Sequence, residues 1–251
     1  MDSLKKKLSE NKLTVGSWVT IGHPSVVEVL LQSPFDWLVI DMEHSVISLE
    51  TAQDLISTIE SNGAAPLVRV GENHPNLIKR VMDAGAHGVV VPMINSKEDA
   101  IKAVESVKYP PEGKRGVGLY RAQKYGEGFN EYKKWLSENS VVIAQIEHID
   151  AVKNIEEILQ VKGIDGCIIG PYDLSGSMGI PGEYNDEKVL EALEKVKTAC
   201  KKMNKPLGYH VIPPDSEEAK KKIDEGYTFI AFSLDFLFLG RKCKEEFGKL
   251  K

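Results

Sequence analysis

The chain has 251 residues, 42% hydrophobic and 27% charged, with a net charge of −5. That length can bury one α/β barrel core or two small domains. The mildly acidic balance, with Lys and Glu mixed along the helices, excludes a nucleic-acid footprint and a basic membrane-surface helix.

No apolar run approaches a membrane span, and the charged amphipathic opening MDSLKKKLSENK is unlike a signal peptide, so a cytoplasmic location is expected. Cys167, Cys200 and Cys243 lack metal-ligand spacing, and Cys167 falls in an apolar strand as a small buried hydrophobe. Strand-like and helix-like segments then alternate. Thr14–Ile21 is a first strand, and Ser25–Leu31 a helix opened by a Ser25/Glu28 capping box. Trp37–Asp41 is a second strand, and Ser48–Ser61 its helix, stopped by Asn62 and Gly63. Ala65–Val70, Pro75–Ala84, Gly88–Pro92 and Ser96–Val107 continue the alternation. A polar, Gly-rich excursion runs from Tyr109 to Glu127, with a short helix near Asn130–Ser137. Val141–Ile146 and Cys167–Ile169 are strands five and six, separated by a helix over Ala151–Gln160. Asp186–Met203, Pro206–Val211, Ser216–Glu225, Thr228–Ser233 and a basic terminal helix complete the chain.

About eight βα units in a chain of this size predict one (β/α)8 TIM barrel over residues 1–251, with an added N-terminal helix. The strands are continuous apolar runs, as expected where helices cover the outer face. An open doubly wound sheet is disfavoured, because no G-x-G-x-x-G follows the first strand and no linker splits the chain.

In a barrel, chemistry collects at strand C-terminal ends. The strand–helix–strand unit Val141–Gly179 lays two strands parallel, so Glu147 and Asp173 emerge at the same rim. Two carboxylates suit a Mg²⁺-like ion that keeps other positions for water and substrate oxygens, although any single acid there is compatible with helix capping. Arg69, inside LVRV, is either half of a buried ion pair with Glu43 or Asp41 or a fixed cation for a developing oxyanion. His44 is either a hydrogen-bonded rim histidine or a general base awaiting an orienting carboxylate. Gly170-Pro171-Tyr172-Asp173 offers free amides at Tyr172 and Asp173 for an anion. No strand ends in lysine, which argues against Schiff-base chemistry, and Lys205 enters strand seven at the wrong end.

The segments DWLVIDMEHS, PLVRV, IKRVMDAGAHGVVVPM, YPPEGKRGVG, QIE and GPYDLSGSMG occur in this order nearly end to end. Together they resemble the class II, metal-dependent pyruvate aldolases of the HpcH/HpaI family. The resemblance implies a homo-oligomer, trimer or hexamer, that exchanges C-terminal helices. It also implies a divalent Mg, Mn or Co ion held by Glu147 and Asp173, and a 2-oxoacid whose carboxylate rests on the Gly170–Asp173 turn. Arg69 would stabilise the pyruvate enolate, and Gln145 would lie beside metal and substrate. His44, coupled to Asp83, would activate a metal-held water. The implied activity is retro-aldol cleavage of a 4-hydroxy-2-oxoacid, of diacid or sugar-acid type, to pyruvate and an aldehyde. The alternatives are other enolate chemistry, such as oxaloacetate decarboxylation, or a non-catalytic 2-oxoacid-binding barrel. Asp83 ends the helix that returns to the barrel floor, so a dyad with His44 is expected to need a neighbouring subunit. The excursion and Tyr209 and His210 at the end of strand seven depart from the family pattern and are expected near the aldehyde half, where Arg121 and Lys124 are either contacts for an acidic or sugar-acid tail or solvated loop charges.

Overall fold

The structure, a computed structural model, describes residues 2–250. Eight parallel strands close in sequence order: β1 (Thr14–Val19), β2 (Trp37–Asp41), β3 (Ala65–Arg69), β4 (Gly88–Val91), β5 (Val141–Ile146), β6 (Gly166–Ile169), β7 (Leu207–Val211) and β8 (Phe229–Leu234). The seam is β1 against β8, where the register shifts between Gly16 and Trp18. Helices α1 (Leu4–Ser9), α2 (Pro24–Leu30), α3 (Leu49–Ser61), α4 (Pro75–Asp83), α5 (Lys97–Val107) and α6 (Phe129–Asn139) belong to the first half. The second half carries α7 (Ile149–Lys153), α8 (Ile155–Leu159), α9 (Pro171–Ser177), α10 (Glu187–Lys202), α11 (Ser216–Asp224) and α12 (Asp235–Gly248). The TIM barrel expected from the βα alternation is present. Among the described residues no helix is long and apolar enough to cross a membrane.

Two local expectations are corrected. The cap of α2 is His23, whose Nδ1 accepts from the Ser25 amide at 3.2 Å, not Ser25 with Glu28. Pro24 takes the first helical position, where its missing N–H and fixed φ cost nothing, and so moves the start upstream. The helix expected over Ala151–Gln160 is two short ones, α7 and α8, broken at Asn154 with φ −97° and ψ 11°.

Strand parity sorts the side chains. Trp18, Trp37, Val39, Leu67, Ile143, Ile168, Phe229 and Ala231 fill the barrel interior as one buried cluster. Their sequence neighbours Leu38, Ile40, Val68, Val142 and Ile230 point outward into a larger core beneath the helices. Trp37 stacks on Phe229 with ring centroids 4.2 Å apart, and this large pair fits because β1 carries Gly16 opposite it. A Cβ on Gly16 would lie 2.1 Å from the Trp37 ring.

Helix α1 closes the N-terminal end of the barrel. Leu4 and Leu8 join the interior cluster, while Lys5 pairs with Asp165 and Lys7 with Asp36. Both acids immediately precede strands, so these pairs fasten the helix across the barrel floor and leave the opposite rim open.

Gly16→Ala forces a methyl into an occupied ring. It is expected to lower unfolding free energy by about 3 kcal/mol, at the upper end of the overpacking range, as measured by urea denaturation.

Candidate active site

The inward parity that packs the interior also aims the last inward residue of several strands at the open rim. Asp41 ends β2, Arg69 ends β3, Gln145 lies near the end of β5 and His210 near the end of β7. Arg69 donates from Nε to Asp41 Oδ1 at 3.0 Å and from Nη2 to Oδ2 at 2.7 Å, a two-point pair that fixes the guanidinium plane. Trp18 lies beneath it, 4.4 Å from ring centroid to Cζ. Asp41 Oδ1 also accepts from the amides of Glu43 and His44, so this buried carboxylate shapes the loop after β2. Burial pushes the Asp41 carboxyl upward, but the Arg69 hydrogen bonds and charge outweigh it and hold the group below the ordinary carboxylate range.

Glu43 approaches Arg69 Nε at 3.3 Å, yet that N–H is directed at Asp41, and Glu43 Oε2 is buried without a hydrogen bond. Burial raises Glu43 to about 7, opposed by Arg69 and reinforced by the charges of Glu147, Asp41 and Asp173. The ion-pair alternative for Arg69 holds, with Asp41 as the partner. The same guanidinium faces the acidic rim.

Glu147 follows β5 and is buried. Its Oε1 accepts from the Met93 amide at 2.7 Å, and its Oε2 from the Gln145 side-chain amide. Burial raises the Glu147 carboxyl, the charge of Asp173 adds to that, and the hydrogen bonds from Gln145 and Met93 oppose it. Asp173 lies in the first turn of α9. Gly170, just before that helix, keeps the approach clear, because a Cβ there would sit 3.2 Å from Glu147 Cβ and 3.3 Å from Oε2.

This donor set fits a hard divalent ion. Two mutually repelling carboxylates and a buried, unpartnered Gln145 Oε1 border a space that glycine leaves open. Among the described residues no three His, Cys, Asp or Glu side chains could hold a metal together. An ion held by this carboxylate pair would take its remaining ligands from water and substrate oxygens. A cavity of about 80 Å³ beside these groups is lined by Trp18, Arg69, Gln145, Gly170, Tyr172, Asp173 and His210, among others.

His44 and Asp83 are not brought together within the chain. The His44 side chain is 65% exposed on the rim, with Nε2 3.7 Å from Glu43 Oε2. Asp83 ends α4 and accepts from Arg115 Nη1 at 2.9 Å. Arg115 is buried against Tyr109 and hydrogen-bonds the Tyr132 hydroxyl. Gly118 of the excursion packs over Asp83 so closely that a Cβ would lie 2.8 Å from Oδ2.

Arg121 and Lys124 are not part of this chain's cavity. Arg121 Nη2 pairs with Glu60 at 2.6 Å and Lys124 with Glu131 at 2.7 Å, around a separate recess of about 540 Å³. Of the two residues expected from strand seven, only His210 lines the site. Tyr209 faces outward, packed on Tyr227 and beneath Lys222 Nζ. Asp235, another acid at a strand end, is occupied by the Thr20 and Ile21 amides and the Thr20 hydroxyl. Trp18 escaped the sequence reading because an aromatic residue in an apolar strand looks like core. Its only signal was its place near the end of β1.

The chain as a whole resembles known proteins in sequence and fold. Residues 14–239 match the family described as HpcH/HpaI aldolase/citrate lyase. The chain belongs to this family. It is 33% identical over 252 residues to the 5-keto-4-deoxy-D-glucarate aldolase of Enterobacter sp. (strain 638), covering 99% of this chain and 97% of that protein. Among solved structures, an HpcH/HpaI aldolase/citrate lyase family protein from Burkholderia cenocepacia J2315 superposes with TM-score 0.94 at 30% identity, covering 100% and 99% of the two chains. The HpcH/HpaI aldolase from Desulfitobacterium hafniense DCB-2 gives 0.91 at 30% identity, covering 100% and 97%. As a family member the chain is a carbon–carbon lyase of the aldolase type.

Removing one partner of the Asp41–Arg69 pair strands a buried charge. Arg69→Met is expected to cost about 3 kcal/mol in urea denaturation, with part of the loss recovered in the Arg69→Met/Asp41→Asn double variant.

Proposed function

We propose that this lyase cleaves a 4-hydroxy-2-oxoacid of the diacid or sugar-acid type, reversibly, to pyruvate and an aldehyde. The observation that carries the reading is the Asp41-locked guanidinium of Arg69 on the same rim as the Glu147–Asp173 carboxylates. Glu147 and Asp173 are the residues that would hold a divalent Mg, Mn or Co ion. When bound, it would supply a Lewis acid that lowers the cost of negative charge on the oxoacid oxygens.

The amides of Tyr172 and Asp173, in the first turn of α9 and outside its internal ladder, would receive the substrate carboxylate. Gln145, tethered to Glu147, would orient the 2-oxo group. Cleavage removes the proton from the C4 hydroxyl, and the C3–C4 electron pair moves into the oxoacid half to leave an enolate. Arg69 is already oriented by Asp41 and Trp18, so its charge can meet the enolate oxygen without reorganisation. Protonation at C3 then gives pyruvate. The relatives' name, 5-keto-4-deoxy-D-glucarate aldolase, supports a hydroxylated acid as substrate.

His44 is assigned to the hydroxyl proton, oriented by Asp83 of a second subunit. Their separation within one chain supports this sharing, as does the terminal helix α12, which presents Phe236 and Leu239 largely exposed. A homo-oligomer would cover that helix and join the two halves of the dyad.

Pyruvate release from a panel of 4-hydroxy-2-oxoacids is expected to stop on chelation and to return with Mg²⁺, Mn²⁺ or Co²⁺. Glu147→Gln is expected to lower kcat/KM by about 10³-fold, and a fully active, metal-independent variant would overturn the assignment. His44→Ala and Asp83→Asn, each inactive alone, should recover activity when co-assembled. Mixed oligomers that stay inactive would rule out a shared dyad.

A further inference from the structure

We propose that Trp18 and His210 form a hydroxyl-recognition pair, selecting 4-hydroxy-2-oxoacids whose aldehyde half carries a further hydroxyl group. This rests on the lyase reading above and specifies which aldehydes that site prefers.

Both rings line the 80 Å³ cavity, 5.4 Å apart at 42°, on strands that meet through β8. Trp18 is 2% exposed, yet its Nε1 has no hydrogen-bond partner. Deeper in the same barrel the buried Trp37 Nε1 donates to Thr14 Oγ1 at 3.3 Å. The chain therefore satisfies the indole N–H of one tryptophan and leaves unsatisfied that of the other, which lines the cavity.

His210 supplies the complementary atom. Its Nε2 lies 3.4 Å from the Ser233 carbonyl oxygen, which can only accept, so Nε2 carries the hydrogen. That carbonyl also accepts from Ser17 Oγ at 3.2 Å, and Ser233 itself sits at φ 55° with its hydroxyl donating to the Ile212 carbonyl. Burial pushes His210 down to about 4, and the nearby Arg69 charge acts in the same direction, so the ring is neutral at physiological pH. Nδ1 of a neutral ring protonated at Nε2 is a lone pair.

An N–H donor and a lone-pair acceptor on one wall match a hydroxyl, which accepts the first and donates to the second. A methyl or methylene satisfies neither atom, and a carboxylate oxygen would oppose the imidazole lone pair. The pair adjoins the reacting centre, because Trp18 also carries Arg69 on its face. With the oxoacid half on Arg69 and the Glu147–Asp173 pair, this wall would be left to the aldehyde half.

The test uses the metal-supplemented full-length enzyme in the condensation direction, pyruvate with D-glyceraldehyde against pyruvate with propanal. Wild type is expected to favour glyceraldehyde in kcat/KM by about tenfold or more. Trp18→Phe keeps a ring beneath Arg69 but removes the N–H, and His210→Leu removes the acceptor at similar size. Each is expected to bring the ratio close to unity, while His210→Gln, which can still accept, retains part of it. Equal use of both aldehydes by wild type, or variants that lose both in the same proportion, would overturn the proposal. Exchange of pyruvate methyl protons with deuterated solvent separates the two levels. Exchange without hydroxyl preference removes the recognition pair alone, whereas neither exchange nor turnover with any aldehyde removes the lyase reading and the pair with it.

Discussion

The open rim depends on one ion pair. Asp41 and Arg69 end adjacent strands, β2 and β3, in direct register, so parity aims both inward and the ladder sets them side by side. A lone buried carboxylate or guanidinium at that depth would be costly. Paired at two points, they cancel each other's charge and become rigid. Asp41 spends its remaining acceptor capacity on the amides of Glu43 and His44 and so shapes the loop that presents both. Arg69, backed by Trp18, is left with fixed orientation toward the acids of β5 and α9. Against a hydrophobic alternative such a pair stabilises a fold only weakly, and what it supplies is a fixed orientation of the guanidinium.

The two ends of the barrel divide their work according to polarity. At the floor, leucines of α1 fill the interior and its lysines meet acids that precede strands. Charge pairs and apolar contact close that end of the barrel. At the rim, buried polar atoms remain unpaired: Glu43 Oε2, Gln145 Oε1 and Trp18 Nε1. Such atoms are rare in folded proteins because each forfeits its hydration. Gln145 and Trp18 both line the same cavity, beside the proposed substrate and ion site. The carboxyls of Glu43 and Glu147, both raised by burial and by neighbouring acids, express the same deficit as charge.

The excursion between α5 and β5 serves the region around Asp83. Arg115 fastens it to Asp83 and to the Tyr132 hydroxyl, Gly118 lies against that carboxylate, and Arg121 reaches Glu60. A buried arginine thus holds Asp83 on the barrel's outer side, apart from the exposed His44 of the same chain.

Much of this was legible in the linear chain. Period and punctuation determine eight βα units, because buried parallel strands must be short apolar runs and their helices must be amphipathic. Strand ends in a barrel converge, so Glu147, Asp173, Arg69 and His44 could be placed on one rim by counting alone. Other features required three dimensions. Whether Arg69 pairs with Asp41, Glu43 or both depends on strand register. Whether Tyr209 or His210 enters the barrel depends on parity at the end of β7. Arg121 and Lys124 look available in sequence, and only packing shows them paired with Glu60 and Glu131. Trp18 and Trp37 are alike as letters, two indoles in apolar strands. Tertiary structure alone gives one a hydroxyl partner and leaves the other unpartnered beside the cavity, because hydrogen-bond satisfaction is set by neighbours in space.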